Sequence, residues 1–332
     1  MSTKHSVTPD PDDVHQQIFV TTLTEDVALN HVVPSPPQAS LIQQDVTRSK
    51  LADFFTLTKP EITFLVTISA VAGYLLGSTS PIDGFQLVAL MIGVALSSAG
   101  GAAFNHYIER HKDAEMKRTE NRPLPAGRIK PVNALALACI SSLAGLTLLL
   151  VFTNPLTSLL AALTIVLYIF LYTPLKQHTK YNTFVGTIPG ALPALGGWTA
   201  ATGSVAAGGW VIFAILVIWQ LPHFLALAWM YRKDYGRAGF KMLPVVEPLG
   251  RSTANQMLVS AVFLLIASIL PTFMGLTGVI YFAGVLLVSL WLLGTCVVFY
   301  RTMTNVAARR VLKASIVHIP VLVLLLIIDR FI

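Results

Sequence analysis

Charged residues are scarce in this chain of 332 residues, at 12% where a soluble domain carries about 25%. Cysteine is rarer still: only Cys139 and Cys296 occur, both inside apolar runs and neither in a metal-binding spacing. These shortages argue against a soluble domain, a disulfide framework and a cysteine-ligated metal site. Hydrophobic residues make up 54% of the sequence instead, which is typical of a chain embedded in a lipid bilayer.

Apolar runs of about 20 residues follow one another along most of the chain, and each is long enough to cross a hydrocarbon core about 30 Å thick. We predict an all-α fold, a polytopic membrane protein with about nine transmembrane helices in a bundle. Proline and glycine interrupt the fifth helix, so it must be kinked or packed closely against its neighbours. The predicted spans are 61–78, 86–107, 131–152, 155–174, 183–201, 209–231, 254–274, 277–300 and 311–329.

Lysine and arginine divide sharply between the two sides of these spans. The N-terminal segment and the connections after the second, fourth, sixth and eighth spans hold all of them except Arg330, with Lys313 at the leading edge of the ninth span on the same side. The positive-inside rule then predicts a cytoplasmic N-terminus, cytoplasmic charged loops and a periplasmic C-terminus, in a bacterial inner membrane. The net charge of +7 is therefore a sign of topology and anion handling, and not of a nucleic-acid partner.

The first 50 residues have a different composition from the rest. They are polar, contain Pro34, Pro36 and Pro37, and include no run long enough to span. We expect residues 1–50 to form a disordered cytoplasmic tail and residues 51–332 to form the membrane domain. Several acids and a single arginine, Arg48, are unlike a mitochondrial transit peptide, which favours a bacterial chain without a cleaved presequence.

Three oxygen-bearing residues at the end of the second span are spaced at intervals of four. Asn105, Glu109 and Asp113 would lie on one side of a helix, and a later loop supplies Asp234. Carboxylates interleaved with cations indicate a site for a metal ion and a diphosphate, although a solvated helix end or an anchor for lipid headgroups has the same composition. The cations of the first loop are Lys112, Lys117, Arg118, Arg122 and Arg128.

Two further polar groups lie near the same face of the membrane. His223 and Asp234 are eleven residues apart, which would put them on one helix face with His223 about 16 Å deeper. A histidine at that depth is either functional or a buried residue hydrogen-bonded to a neighbouring helix. Lys176, beside Tyr172 at the end of the fourth span, either belongs to an interfacial belt or reaches the diphosphate.

Five strings carry a resemblance to a known family: LTKPE from Leu57, MKRTENRPLPAG from Met116, YTPLK from Tyr172, WQLPHF from Trp219 and DYGRAGFKMLP from Asp234. With acid-bearing loops after the second and sixth spans, they resemble the UbiA-type intramembrane prenyltransferases, and among them those that farnesylate heme. The resemblance runs from about residue 51 to the C-terminus and leaves only the tail outside.

The resemblance implies a bundle around a central cavity that opens near the cytoplasmic face. It also implies a reaction: a farnesyl group passes from farnesyl diphosphate to a vinyl group of heme b, water is added, and heme O and diphosphate result. Mg²⁺ is the implied cofactor and heme b is a substrate. The implied partners are the two substrates, the lipid bilayer and a downstream heme-modifying enzyme or terminal oxidase assembly.

The resemblance also assigns roles to residues. The implied metal ligands are Asn105, Glu109, Asp113 and Asp234. The implied diphosphate-binding residues are Lys117, Arg118, Lys176, Arg232 and Lys233. The residues tied most closely to activity are Arg118, Arg122, Lys176 and His223. The arginine pair can bind either diphosphate or heme propionates, and His223 can either ligate heme iron or move a proton.

The chain departs from the family pattern at three positions. The family usually has Asp, Asp and Arg at the positions of Glu109, His111 and Glu61. Three rival functions stay open at this point. They are a prenyltransferase of the same superfamily that acts on an aromatic quinone precursor, a transporter, and a non-catalytic heme-binding membrane protein.

Overall fold

The computed structural model describes residues 49–79 and 81–331, so the predicted tail lies outside it. Within those ranges every regular element is a helix, which confirms the all-α prediction. A short helix, α1 (Lys50–Leu57), precedes the first span. The long helices are α2 (Pro60–Gly77), α3 (Gly84–Ala114), α4 (Pro131–Phe152), α5 (Pro155–His178), α6 (Asn182–Thr202), α7 (Ala207–Met230), α10 (Arg251–Phe273), α11 (Val279–Thr302) and α12 (Asn305–Phe331). The loop between α7 and α10 contains α8 (Arg232–Arg237) and α9 (Leu243–Val246).

Local sequence signals fix where these helices begin. Pro60, Pro131 and Pro155 each stand in the first turn, where a missing N–H costs nothing. Asp83 caps α3 by accepting hydrogen bonds from two backbone N–H groups, and Asn154 caps α5 in the same way through one. The chain therefore encodes several span boundaries directly.

Eight of the described helices are long and apolar enough to cross a membrane. The exception among the nine long helices is α6, the predicted fifth span, a continuous helix of 21 residues that contains Pro189 and Pro193. A total of nine crossings therefore remains a prediction. The expectation of close packing for this helix is confirmed, because α6 is buried along most of its length.

Close packing of α6 against α2 depends on two glycines. A Cβ atom on Gly73 would lie 1.8 Å from the carbonyl oxygen of Ala194, and a Cβ on Gly197 would lie 1.8 Å from that of Ala70. Only hydrogen fits at either position, so the two backbones touch directly. The largest hydrophobic cluster extends from this contact through α7, α10, α11 and α12.

The functional candidates lie at the end of the bundle that carries the charged loops. Helix α3 has 31 residues and is therefore about 46 Å long, so its last turns extend beyond the apolar core. The loop that follows α3 packs on the loop between α7 and α10, where Met116 is buried with Ala238, Phe240 and Met242. The structure thus brings the two predicted acid-bearing loops together.

A cavity of about 380 Å³ lies at the opposite end of the bundle, beside the connection Gly275–Gly278 and the side chain of Asp329. It is separate from the charged loops. The central cavity expected near the cytoplasmic face stays a prediction.

Candidate active site

The acid-bearing face of α3 forms as the four-residue spacing predicts. Asn105, Glu109 and Asp113 all lie within the helix and are 1%, 6% and 1% exposed. Burial of two carboxylates is costly unless each has a charged partner. The arrangement of their partners therefore determines what the site can bind.

Each oxygen-bearing side chain on this face contacts one cationic side chain from another element. The lysines donate through Nζ and the arginine donates through Nη1, which contacts both oxygens of its carboxylate. Such charge-assisted hydrogen bonds are stronger than neutral ones. The pairs are Lys59–Asn105 at 2.6 Å, Lys176–Glu109 at 2.9 Å and Arg122–Asp113 at 2.8 Å.

Lys59 is a site residue to which the sequence interpretation gave no role. It lies just before Pro60 and has a left-handed backbone, with φ of 46°, which costs roughly 1–3 kcal/mol for a residue with a side chain. Burial, followed by the positive charges of Arg122 and Lys176, lowers the pKa of Lys59 from 10.5 to about 7. The signal for it was the LTKPE string, in which a lysine immediately precedes the first span.

Lys176 is held from several directions. It lies in the last turns of α5, just after a π-helical stretch, Leu167–Tyr172. Its ammonium lies 4.7 Å from the ring centroid of Tyr172 and 5.9 Å from that of Phe240. Its backbone carbonyl accepts a hydrogen bond from the N–H of Lys241 at 2.7 Å. Lys176 therefore joins α3, α5 and the loop after α7.

The loop after α3 folds back on the helix end and places Arg122. The hydroxyl of Thr119 donates to the carbonyl of Asp113 at 2.8 Å, and the N–H of Arg122 donates to the carbonyl of Thr119 at 2.9 Å. Arg128 points elsewhere, because its Nε donates to both oxygens of Asp53 on α1 at 3.1 and 3.0 Å. Arg122 and Arg128 of this loop therefore bind carboxylates on different helices.

Three buried polar atoms without a hydrogen-bond partner in the described part of the chain belong to neighbouring residues of α3 at this face. Among the described residues, the side-chain nitrogen of Asn105 and both ring nitrogens of His106 are buried and have no hydrogen-bond partner, and His106 is only 1% exposed. An unsatisfied buried polar atom costs about 1–3 kcal/mol, so a ligand that bonded these three atoms would recover part of that cost. His106 was not singled out from the sequence.

The residues present suit a metal–diphosphate complex better than a bare metal ion. Amide and carboxylate oxygens are the ligands that Mg²⁺ prefers. Among the described residues, however, no group of three histidine, cysteine, aspartate or glutamate side chains is placed to hold a metal ion. Lys176 and Arg122 already contact the carboxylates and would have to release them. A diphosphate would give both cations new oxygen partners, which a bare ion would not.

The structure does not bring all the predicted residues to this face. Asp234 forms an ion pair with Arg237, and in the described part of the chain no hydrogen bond or ion pair joins it to the acids of α3. The expected shared helix face of His223 and Asp234 is wrong, because α7 ends at Met230. A new helix, α8, carries Asp234.

The remaining predicted cations lie around the edge of the site. Arg232 donates to the carbonyl of Trp229 at 2.7 Å and to Asn305 at 2.9 Å, so it ties α7 to α12. The guanidinium of Arg118 lies 4.8 Å from the ring centroid of Tyr231, across the two packed loops. Lys117 and Lys233 are exposed.

His223 lies on α7 and contacts α12, away from the carboxylates. It is half-buried, and its Nδ1 lies 2.9 Å from the hydroxyl of Ser315. Its ring stacks on that of Trp219 with centroids 5.3 Å apart. Seven residues, or about 10 Å of helix, separate it from the end of α7 at the charged loops.

Comparison with known proteins places these features in a family. Residues 66–317 match the UbiA prenyltransferase family. The chain is 54% identical to the protoheme IX farnesyltransferase of Salinibacter ruber over 281 residues, which cover 85% of this chain and 99% of that protein. It is 39% identical to the protoheme IX farnesyltransferase of Opitutus terrae over 285 residues, which cover 86% of this chain and 96% of that protein.

Solved structures share the fold at much lower identity. A digeranylgeranylglyceryl phosphate synthase superimposes with a TM-score of 0.68 at 19% identity, covering 84% of this chain and 98% of that one. A UbiA homologue from Archaeoglobus fulgidus bound to GPP and Mg²⁺ superimposes with a TM-score of 0.62 at 13% identity, covering 82% of this chain and 99% of that one. These likenesses concern the arrangement of the helices.

Proposed function

The chain belongs to the UbiA prenyltransferase family, and we propose that it transfers a farnesyl group from farnesyl diphosphate to a vinyl group of heme b, with addition of water, to give heme O and diphosphate. We infer the heme acceptor from the relatives, because this chain matches two protoheme IX farnesyltransferases over almost their whole length. The diphosphate donor is supported by the geometry, because three cationic side chains converge on the buried oxygen face of α3.

We propose that diphosphate binds by exchange of ion-pair partners. Lys59, Lys176 and Arg122 turn from the side chains of α3 to the oxygens of the diphosphate. The freed oxygens of Asn105, Glu109 and Asp113 then hold Mg²⁺. When bound, Mg²⁺ neutralises charge on the leaving diphosphate. Glu109 and Asp113 exchange a cationic side chain for the metal ion, so neither carboxylate is left buried without a positive charge beside it.

The same cations assist the departure of the leaving group. The allylic C–O bond breaks and its electron pair leaves with the diphosphate, whose added charge Lys59, Lys176 and Arg122 stabilise. The terminal carbon of the heme vinyl group then bonds to the farnesyl carbon, and water adds to the adjacent vinyl carbon with loss of a proton. Apolar helices around the farnesyl chain exclude bulk water until the carbon–carbon bond has formed.

The second loop completes the proposed site from the opposite side. Asp234 is proposed to join the metal ligands after leaving Arg237, its present partner. Lys117, Arg118 and Lys233 are proposed to bind the outer diphosphate oxygens, and Arg118 already contacts the second loop through Tyr231. Arg232 is engaged with α12 and is proposed to position this loop instead.

We propose that residues 51–332 form the membrane domain in a bacterial cytoplasmic membrane, with the charged loops in the cytoplasm and the C-terminus in the periplasm. The division of lysine and arginine supports this orientation. The product retains a heme and gains an apolar chain, so the reaction that consumes it belongs to a membrane enzyme that modifies heme or to assembly of an oxidase.

Product analysis tests the proposal. Membranes containing the full chain receive labelled farnesyl diphosphate, Mg²⁺ and either heme b or an aromatic acid, and the lipid extract is separated. We expect label in a hydroxyethylfarnesyl heme, with the yield abolished by a chelator or by Glu109→Ala. Label on the aromatic acid and none on heme would instead assign the chain to the quinone branch of the family.

A further inference from the structure

The hydrogen bonds around His223 determine which of its nitrogens carries a proton. The hydroxyl of Ser315 donates its only hydrogen to the carbonyl of Leu312 at 2.8 Å. The same hydroxyl oxygen lies 2.9 Å from Nδ1 of His223. We assign the serine hydrogen to Leu312, whose carbonyl can only accept, so the serine oxygen accepts here and Nδ1 of His223 is the donor. A neutral His223 therefore has its proton on Nδ1 and its lone pair on Nε2.

Trp219 holds the same arrangement from the other side. Its ring stacks on the imidazole at an interplanar angle of 27°. Its indole N–H donates to the backbone carbonyl of Ser315 at 2.8 Å. The position of Ser315 and the plane of His223 are thus fixed by one residue located one helical turn before the histidine.

His223 is less buried than a second histidine in the same bundle that also bonds a serine. His318 is fully buried and bonds Ser289 through Nε2 at 3.0 Å, and its Nδ1 has no hydrogen-bond partner in the part of the chain that the structure describes. His223 is half-buried, and within the described residues its Nε2 makes no hydrogen bond. The two histidine–serine pairs therefore differ in the exposure of the histidine.

We propose that Ser315 and Trp219 are positioning residues that present Nε2 of His223 to the iron of heme b. This inference rests on the proposed function and specifies how the acceptor substrate is held. A neutral imidazole that donates its other N–H to a fixed oxygen is a strong iron ligand, because that hydrogen bond orients the ring and raises its basicity. The bond to iron forms by donation of the Nε2 lone pair, without electron transfer. His223 would then anchor heme from α7, on the side of the imidazole that faces away from Ser315.

The test compares two serine variants in the purified full chain. Ser315→Ala removes the oxygen that accepts from His223, and Ser289→Ala removes the equivalent partner of His318. Heme b is titrated into each protein, and the iron–imidazole stretching band of the ferrous complex is recorded by resonance Raman spectroscopy. We expect Ser315→Ala to bind heme 10–100-fold more weakly, as is typical of lost outer hydrogen bonds at metal ligands, and to shift the band to lower frequency. Ser315→Thr keeps the hydroxyl and should match the wild type in heme affinity and in band frequency. Ser289→Ala should also leave the affinity and the frequency unchanged.

Trp219→Phe provides a second route if Ser315→Ala does not fold. It keeps an aromatic ring against His223 but loses the hydrogen bond to Ser315, so the band should move part of the way. Heme affinity and band position equal to wild type in Ser315→Ala, or in Trp219→Phe if the serine variant is lost, would overturn the positioning role. An unchanged band in His223→Ala would overturn iron ligation itself. Farnesyl transfer by the wild-type protein is measured separately, so failure of the proposed function is distinguishable from either result.

Discussion

Replacement of Lys59 by arginine should remove a pH dependence of diphosphate binding. Lys59 is held beside Asn105 with its pKa lowered to about 7, chiefly by burial and then by Arg122 and Lys176. Its ammonium form is therefore lost as pH rises through about 7, while a lysine in the unfolded chain stays charged to about 10.5. Because a diphosphate binds the ammonium better than the amine, wild-type affinity should fall as pH rises above 7.

The size of the effect follows from the protonated fraction of Lys59. Half of the side chains are charged at pH 7 and about one in a hundred at pH 9, when the pKa is about 7. If only the charged form binds, affinity falls by about fiftyfold over these two pH units, which is on the order of 2 kcal/mol. Arginine stays protonated throughout, so the Lys59→Arg variant should lack this loss. The linked effect on folding has the opposite sign: wild-type stability should rise between pH 7 and 10.5, where the unfolded chain binds more protons.

Calorimetric titration with inorganic diphosphate in excess Mg²⁺, from pH 6 to 9, measures the effect. Protonation of the diphosphate itself changes the affinity of both proteins equally. The ratio of wild-type to Lys59→Arg affinity therefore reports the protonation of Lys59 alone. A Lys59→Gln variant should bind weakly at every pH. A ratio that stays constant within about twofold across the range would refute the reasoning.

Gly73→Ala should destabilise the protein in detergent by about 1–3 kcal/mol or more, because its Cβ would overlap the carbonyl of Ala194. In the matched control Gly294→Ala, the new Cβ meets no atom within 4 Å, so this change should raise the free energy of unfolding by about 0.5–1 kcal/mol. Equal thermal midpoints for the two variants would contradict the packing argument. Lys176→Met should cost about 3–5 kcal/mol by leaving Glu109 buried without its cation. Adding Glu109→Gln should recover most of that stability but no diphosphate binding, and recovery of binding would exclude Lys176 from the site.

Periodicity was sufficient to predict the features that lie within one helix. The four-residue spacing of Asn105, Glu109 and Asp113 predicted a shared face, and α3 has that face. The apolar runs located the spans, and the prolines and glycines of α6 predicted its close packing. These properties depend on neighbours along the chain, so the sequence expresses them directly.

Contacts between distant residues were not predictable in this way. Lys59 reaches Asn105 across 46 positions, and only the folded bundle brings them together. The sequence shows Arg128 only as one of the cations of the first loop, and the fold pairs it with Asp53. The shared face of His223 and Asp234 failed because the chain leaves the helix at Tyr231, where no proline or glycine marks the end.

The π-helical stretch in α5 makes the geometry of the site depend on chain length. A π-helical segment accommodates extra residues per turn, and the stretch Leu167–Tyr172 lies directly before the segment that carries Lys176. Deletion of one residue there would rotate everything beyond it by about 100°. Lys176 would then point away from Glu109 although every side chain at the site was unchanged. A relative with the same motifs but one residue fewer in α5 should therefore lack this ion pair, so alignment gaps within a span carry functional information.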